Sequence, residues 1–234
     1  MEYFSRFAPR NNPSSTPMKA VTLSVTALAT LFLVACGPNE AEMAAAKEKA
    51  TADSLAALAA TEMTYRVDAA ASTINWKGTM LGVKSHHGTV NLTEGKLAVK
   101  GGQILAGGFN VDLSSMAPLD SAYAPEGSKK GTKTMLIGHL QSADFFDVAN
   151  FPNASFEITS VEGNTATGNL TVRGKTNEEK VTDIVVTEEN GTVKVTGKLA
   201  FDRQKYGVAW SSGSKDAILN DNIELEIALT ASAQ

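Results

Sequence analysis

The stretch Thr192-Val193-Lys194-Val195-Thr196-Gly197-Lys198-Leu199-Ala200-Phe201 decides the fold. In it Val193, Val195, Gly197, Leu199 and Phe201 alternate with Thr192, Lys194, Thr196, Lys198 and Ala200. A second run behaves alike: Ile223, Leu225, Ile227, Leu229 and Ala231 alternate with Glu224, Glu226, Ala228 and Thr230. Successive side chains of a strand point to opposite faces, so each run reads as a strand with one dry face and one wet face. Weaker alternation recurs near 72–80, 83–92, 96–112, 154–161, 166–173 and 180–187.

The connections read as hairpins. Asn190-Gly191 separates two strand patterns and suits a type I′ turn, whose central residues both need positive φ. Gly163-Asn164 and Glu94-Gly95 occupy similar places. About eight strands joined mainly by tight turns make a meander, and closing it removes the exposed edges. The expected fold over residues 64–234 is therefore all-β, a closed antiparallel barrel, with a two-sheet sandwich as the alternative. One interval, 113–150, breaks the pattern with Pro118, Pro125 and a polar stretch over 127–134. A helical candidate follows, around Met135 to Phe146, with Ser142 placed to cap a turn carrying Asp144 and Asp147. So long an excursion between strands belongs across one mouth of a barrel, as a lid.

The segment ahead of the barrel reads as an address and a tether. Ala20 to Ala35 is uncharged and mostly apolar, too short to span a bilayer as a helix but suited to a secretory signal over residues 1–35. Leu33-Val34-Ala35-Cys36 resembles the lipobox of bacterial lipoproteins, in which the cysteine is acylated, and Cys36 is the chain's only cysteine. Gly37 follows it rather than Asp, which suits export to the outer membrane. The expected location is thus the cell envelope, lipid-anchored, facing the periplasm or the cell surface. Translation starts at Met1 or at Met18, which precedes Lys19 in the more usual way. Residues 36–63 hold the lipidated cysteine and an Ala-, Glu- and Lys-rich run that favours helix but lacks a broad apolar face. They read as a semi-rigid spacer.

Composition narrows the function. A formal charge of −4 without a basic block lacks the footprint of nucleic-acid binding. One cysteine and three histidines leave no basis for a Cys-rich or His-rich metal site. His86 and His87 are neighbours, so on a strand they point to opposite faces. No G-x-S-x-G elbow, H-E-x-x-H helix or P-loop is present, and the chain reads as a binding protein rather than an enzyme. The barrel segment has eleven aromatics that do not gather at strand ends, unlike a lipid-facing outer-membrane barrel with its two girdles.

Several stretches together resemble the YceI-like family of lipocalin-like, polyisoprenoid-binding barrels. Tyr65-Arg66-Val67-Asp68 with Ser72-Thr73-Ile74 is similar to its first strand motif. His139-Leu140-Gln141-Ser142-Ala143-Asp144-Phe145-Phe146-Asp147, then Phe151-Pro152 and Ser155-Phe156, is the best match. Gly168 to Gly174, and Asp202-Arg203 with Tyr206-Gly207-Val208, Leu219 and Asp221, resemble later parts. Leu136-Ile137 stand where many members carry Arg-Asp.

The resemblance implies a barrel that holds the tail of a quinone or polyprenyl lipid, with no cofactor beyond that lipid. Each buried methylene is worth about 0.8 kcal/mol, so a tail of ~20 carbons gains roughly 16 kcal/mol gross. Association and ordering offset on the order of 4–15 kcal/mol of this. The candidate ligand-binding residues are Trp76, Phe109, His139, Phe145, Phe146, Phe156, Phe201 and Trp210. Phe145 and Phe146 either pack on the tail or staple the lid to the wall. The other aromatics either line a cavity or fill the core, since small barrels fill themselves with side chains. His139 either presents a polar atom at the mouth or is satisfied by backbone. Asp202-Arg203 reads as a local ion pair. A side-chain-filled barrel would make the protein a ligand-free envelope scaffold instead, and a homodimer stays open as a further partnership.

Overall fold

The computed structural model describes residues 40–59, 61–81, 84–121, 123–213 and 218–234. The signal segment and Cys36 lie outside the described residues. Helix α1 (Glu40–Ala59) carries Glu40 and Glu42 in its first turn, where carboxylates complement the helix dipole. Residues 40–54 are exposed, Met43 included, as expected of a helix rich in Ala, Glu and Lys and without an apolar stripe.

Nine strands follow: β1 (Met63–Val67), β2 (Thr73–Leu81), β3 (Lys84–Lys100), β4 (Gln103–Pro118), β5 (Asn153–Glu162), β6 (Thr165–Val172), β7 (Lys175–Glu189), β8 (Thr192–Asp202) and β9 (Ile218–Ala233). Helix α2 (Lys133–Gln141) lies between β4 and β5, and a 3₁₀ turn (Arg203–Tyr206) follows β8. All pairings are antiparallel, and β2 to β9 pair in sequence order until β9 returns to β2. The ring therefore closes as an eight-stranded up-and-down barrel. Strand β1 extends the place of β2, because both lie between β3 and β9 at successive registers: Arg66 faces Lys96 and Ile74 faces Val90. Asp68 bridges the two, accepting from the Ala70 and Ala71 amides.

The alternation of the deciding stretch is realised residue by residue. Val193, Val195, Leu199 and Phe201 are buried, while Lys194, Thr196, Lys198 and Ala200 are exposed. Asn190 and Gly191 have φ of 51° and 74°, as a type I′ hairpin requires.

Three local expectations fail. Glu94-Gly95 is not a turn but the middle of β3, where the register against β4 shifts between Leu92 and Glu94, and the reversal comes at Gly101-Gly102. Glycine is needed at 95 for close approach: a Cβ there would meet Val67 Cγ2 at 2.9 Å and Phe109 Cβ at 3.1 Å. The lid helix is shorter and earlier than Met135 to Phe146. Thr132 caps its start by accepting from the Met135 amide, and Ser142 ends it, with its amide and Oγ both donating to the His139 carbonyl. Asp144 and Asp147 therefore sit in the turn after the helix. Lastly, Arg203 pairs at 3.1 Å with Asp221 of the adjacent strand β9, while Asp202 accepts from the Gln204 amide. A carboxylate at the start of a 3₁₀ turn caps the turn's own amides better than it reaches its neighbour.

Candidate functional site: a chamber at one end of the barrel

The two ends of the barrel differ in their connections. Hairpins of two residues close one end, at Gly101-Gly102, Gly163-Asn164 and Asn190-Gly191. The other end carries the long excursion between β4 and β5 and the connection between β8 and β9, beside the two-residue hairpin Arg173-Gly174. Inside this second end lies a chamber with about 230 Å³ open to the centres of water molecules. Its walls are apolar side chains of seven strands, and α2 contributes Leu136, His139 and Leu140.

All eight residues singled out from sequence line this one chamber. Trp76, Phe109, Phe156 and Phe201 come from the walls, His139 from the lid helix, Phe145 and Phe146 from the turn after it, and Trp210 from the connection before β9. Phe145 and Phe146 are buried and meet edge to face at 4.9 Å. The Trp76 indole donates to the Thr89 carbonyl at 3.1 Å, so its one polar atom is satisfied against the wall. Leu136 also lines the chamber, so this lid position presents an apolar side chain to it.

His139 breaks this apolar lining, as do His86 and Ser155. Among the described residues, its Nε2 is the one buried side-chain nitrogen or oxygen without a hydrogen-bond partner. The ring stands edge-on to Trp210 at 4.7 Å and to Phe145 at 5.5 Å. An imidazole nitrogen donates or accepts according to tautomer, so Nε2 suits either a hydroxyl or a carbonyl. The backbone-satisfied alternative does not hold for this atom.

Sequence reasoning missed a second polar group at the mouth. His86 also lines the chamber, and its Nδ1 lies 3.2 Å from both carboxylate oxygens of Asp120. Tyr123 donates to Asp120 at 2.6 Å and stacks on the His86 ring at 5.6 Å. Burial pushes the Asp120 carboxyl up, but hydrogen bonds from Tyr123, His86 and the His87 amide outweigh it and leave its pKa below the usual value. Burial and the adjacent Asp120 both raise the Tyr123 phenol, which therefore stays protonated. The only sequence clue was the His86-His87 pair, since Asp120 lies 34 residues away.

The lid is pinned from the opposite side. Arg173, in the turn after β6 with φ of 50°, donates to the Ala143 carbonyl at 2.7 Å and to the Gly207 carbonyl. Gln141 donates to the Ser114 carbonyl at 3.0 Å. Around the opening, Leu81, Leu119, Met135 and Ile218 are exposed, and Leu81 and Ile218 are register partners.

A YceI-like domain model matches residues 65–231, most of the chain and nearly all of the barrel. The chain belongs to the YceI-like family. A UPF0312 protein of Shewanella sp. strain ANA-3 is 28% identical to it over 187 residues, covering 75% of this chain and 90% of the relative. A UPF0312 protein of Staphylococcus aureus strain bovine RF122 is 40% identical over 80 residues, which is 30% of this chain. That match spans 44% of the relative's length. Among solved structures, Burkholderia cenocepacia BcnA superposes with a TM-score of 0.57 at 20% identity, covering 71% of this chain and 99% of BcnA. At that identity the likeness speaks for the fold alone, and it places this YceI-like barrel among known ones.

Proposed function

We propose that the protein is a membrane-tethered lipid carrier that holds an amphiphilic isoprenoid in its barrel. One observation carries this reading: among the described residues, a chamber with mostly apolar walls holds one unsatisfied buried polar atom, His139 Nε2, on its lid helix. Apolar walls with few polar groups are the chemistry of a site that takes a hydrocarbon tail and orients one polar head. A quinone or polyprenyl alcohol has that shape, with the head at His139 and His86. The exposed Leu81, Leu119, Met135 and Ile218 suit transfer of the tail from a bilayer without full passage through water. Acylation at Cys36 would hold the barrel at the envelope membrane, with α1 as part of the spacer.

Native mass spectrometry of the protein, purified from a bacterial envelope without detergent and followed by lipid extraction, tests the ligand. A stoichiometric isoprenoid adduct is expected. A clean apo mass, with no uptake of added quinone or polyprenyl alcohol, would overturn the reading. For the anchor, Cys36→Ser should move the protein from the membrane to the soluble fraction and abolish incorporation of labelled palmitate.

A further inference from the structure

Two spaces lie inside the barrel. Beyond the mouth chamber lies a second void of about 30 Å³ toward the hairpin end. Three residues line both spaces: Phe109, Phe156 and Ile227. Strands β5 and β9 stand four places apart in the ring of eight, so Phe156 and Ile227 reach these two spaces from opposite walls. Phe109 is the register partner of Phe156 on the adjacent strand, and their rings lie 6.0 Å apart. An eight-stranded barrel is just wide enough for side chains to fill, so groups reaching in from opposite walls close the bore. Beneath them Leu97, Ile104, Val181, Val195 and Leu229 are all buried and leave only the small void. The Phe156 ring is seated over Gly168, where a Cβ would lie 2.6 Å from its Cζ.

We propose that Phe109, Phe156 and Ile227 are the floor of the chamber and set the length of tail it accepts. The proposal rests on the lipid-carrier reading above and adds a length limit to it. The chamber runs over the eight residue steps from Leu219 to Ile227 on β9, and over the seven from Phe109 to Met116 on β4. At ~3.3 Å per residue and a strand tilt of about 40°, its depth is about 18–20 Å. An extended hydrocarbon with C–C bonds of about 1.5 Å advances roughly 1.25 Å per carbon, so about 14–16 main-chain carbons fit, close to four isoprene units. A longer tail must leave its remainder at the mouth, where it gains no further burial.

The test is a length series of isoprenoid alcohols on the full chain: geraniol, farnesol, geranylgeraniol and solanesol, each displacing a fluorescent apolar dye. Affinity should tighten by about tenfold or more per added unit up to geranylgeraniol, as expected when each methylene is buried. It should then change less than about threefold on going to solanesol, since the added carbons stay outside the chamber. Phe156→Leu and Phe109→Leu should shift this break toward the longer alcohol. Leu170→Phe, beside Phe156 in register, should shift it toward farnesol, so a folding failure of one variant leaves the others decisive. Affinity that keeps rising through solanesol in the unaltered protein would overturn the floor while leaving the carrier reading intact. Absence of binding by any alcohol would overturn the carrier reading and the floor with it.

Discussion

Replacing His139 by Phe should stabilise the empty protein and weaken its grip on a polar head. The ring contacts to Trp210 and Phe145 at 4.7 and 5.5 Å are kept by a phenyl ring, while the unpartnered Nε2 is removed. A buried polar atom left unsatisfied costs about 1–3 kcal/mol. Slight overpacking by the larger ring offsets part of this gain, so a net gain of about 1 kcal/mol is expected. In a domain of this size that corresponds to a Tm rise of about 2–4 °C. Urea unfolding of the lipid-free protein measures the first effect. Binding of geranylgeraniol and of the matching hydrocarbon measures the second. The alcohol should lose about tenfold in Kd, the worth of one neutral hydrogen bond, and the hydrocarbon should change little. A variant less stable by more than about 1 kcal/mol would show that Nε2 is not an unmet group in the empty chamber. An equal loss for alcohol and hydrocarbon would show that His139 acts only by shape.

Three further outcomes follow from the same geometry. Asp120 has a folded pKa below its unfolded value, so its stabilising contribution is present above about pH 4 and is lost as pH falls through the folded value. The stability gap between the protein and Asp120→Asn should therefore close on acidification, and a constant gap in urea titrations from neutral to strongly acid pH would contradict this. Tyr65, buried and donating to Glu188, has its phenol pushed up to about 12. Its stabilising contribution holds below about pH 10 and is lost as pH rises toward the folded value. Tyrosinate absorbance should show late ionisation, and Tyr65→Phe should reduce its amplitude by one tyrosine, since Tyr123 and Tyr206 are raised as well; an unchanged late amplitude in Tyr65→Phe would refute it. Arg173→Ala removes two bonds from a charged donor to the lid and the Gly207 loop. It should lower stability by about 1–2 kcal/mol, since the site is partly exposed, and speed ligand release; stopped-flow release at an unchanged rate would dismiss Arg173 as a clamp.

The strands that could be read from sequence are those whose two faces differ most. β8 separates Val and Leu from Lys and Thr without a break, so its face was evident from residues alone. β3 was not, because its bulge at Leu92/Glu94 changes the phase of the alternation midway, and a glycine that admits Val67 looks like one that makes a turn. The chamber aromatics were legible because large side chains on inward positions of a small barrel have nowhere else to go. What escaped were partnerships made by pairing: Asp120 reaches His86 only because β3 and β4 pair, and Asp221 reaches Arg203 only because β8 and β9 pair. The proposed floor is of the same kind, since Phe109, Phe156 and Ile227 come to the same two spaces from three strands of a ring that no local pattern encodes.

The unequal ends of the barrel also bear on how it assembles and opens. The hairpins at Gly101-Gly102, Gly163-Asn164 and Asn190-Gly191 close contacts between near neighbours in the chain, which form early and at small entropic cost. The mouth is tied together by residues tens of positions apart, such as Arg173 with Ala143 and His86 with Asp120. Amide exchange should therefore be slowest at the packed base and fastest in the lid, and the lid can open as a local unit while the base keeps the ring closed. A container that unfolds only at its rim releases its cargo without losing its shape.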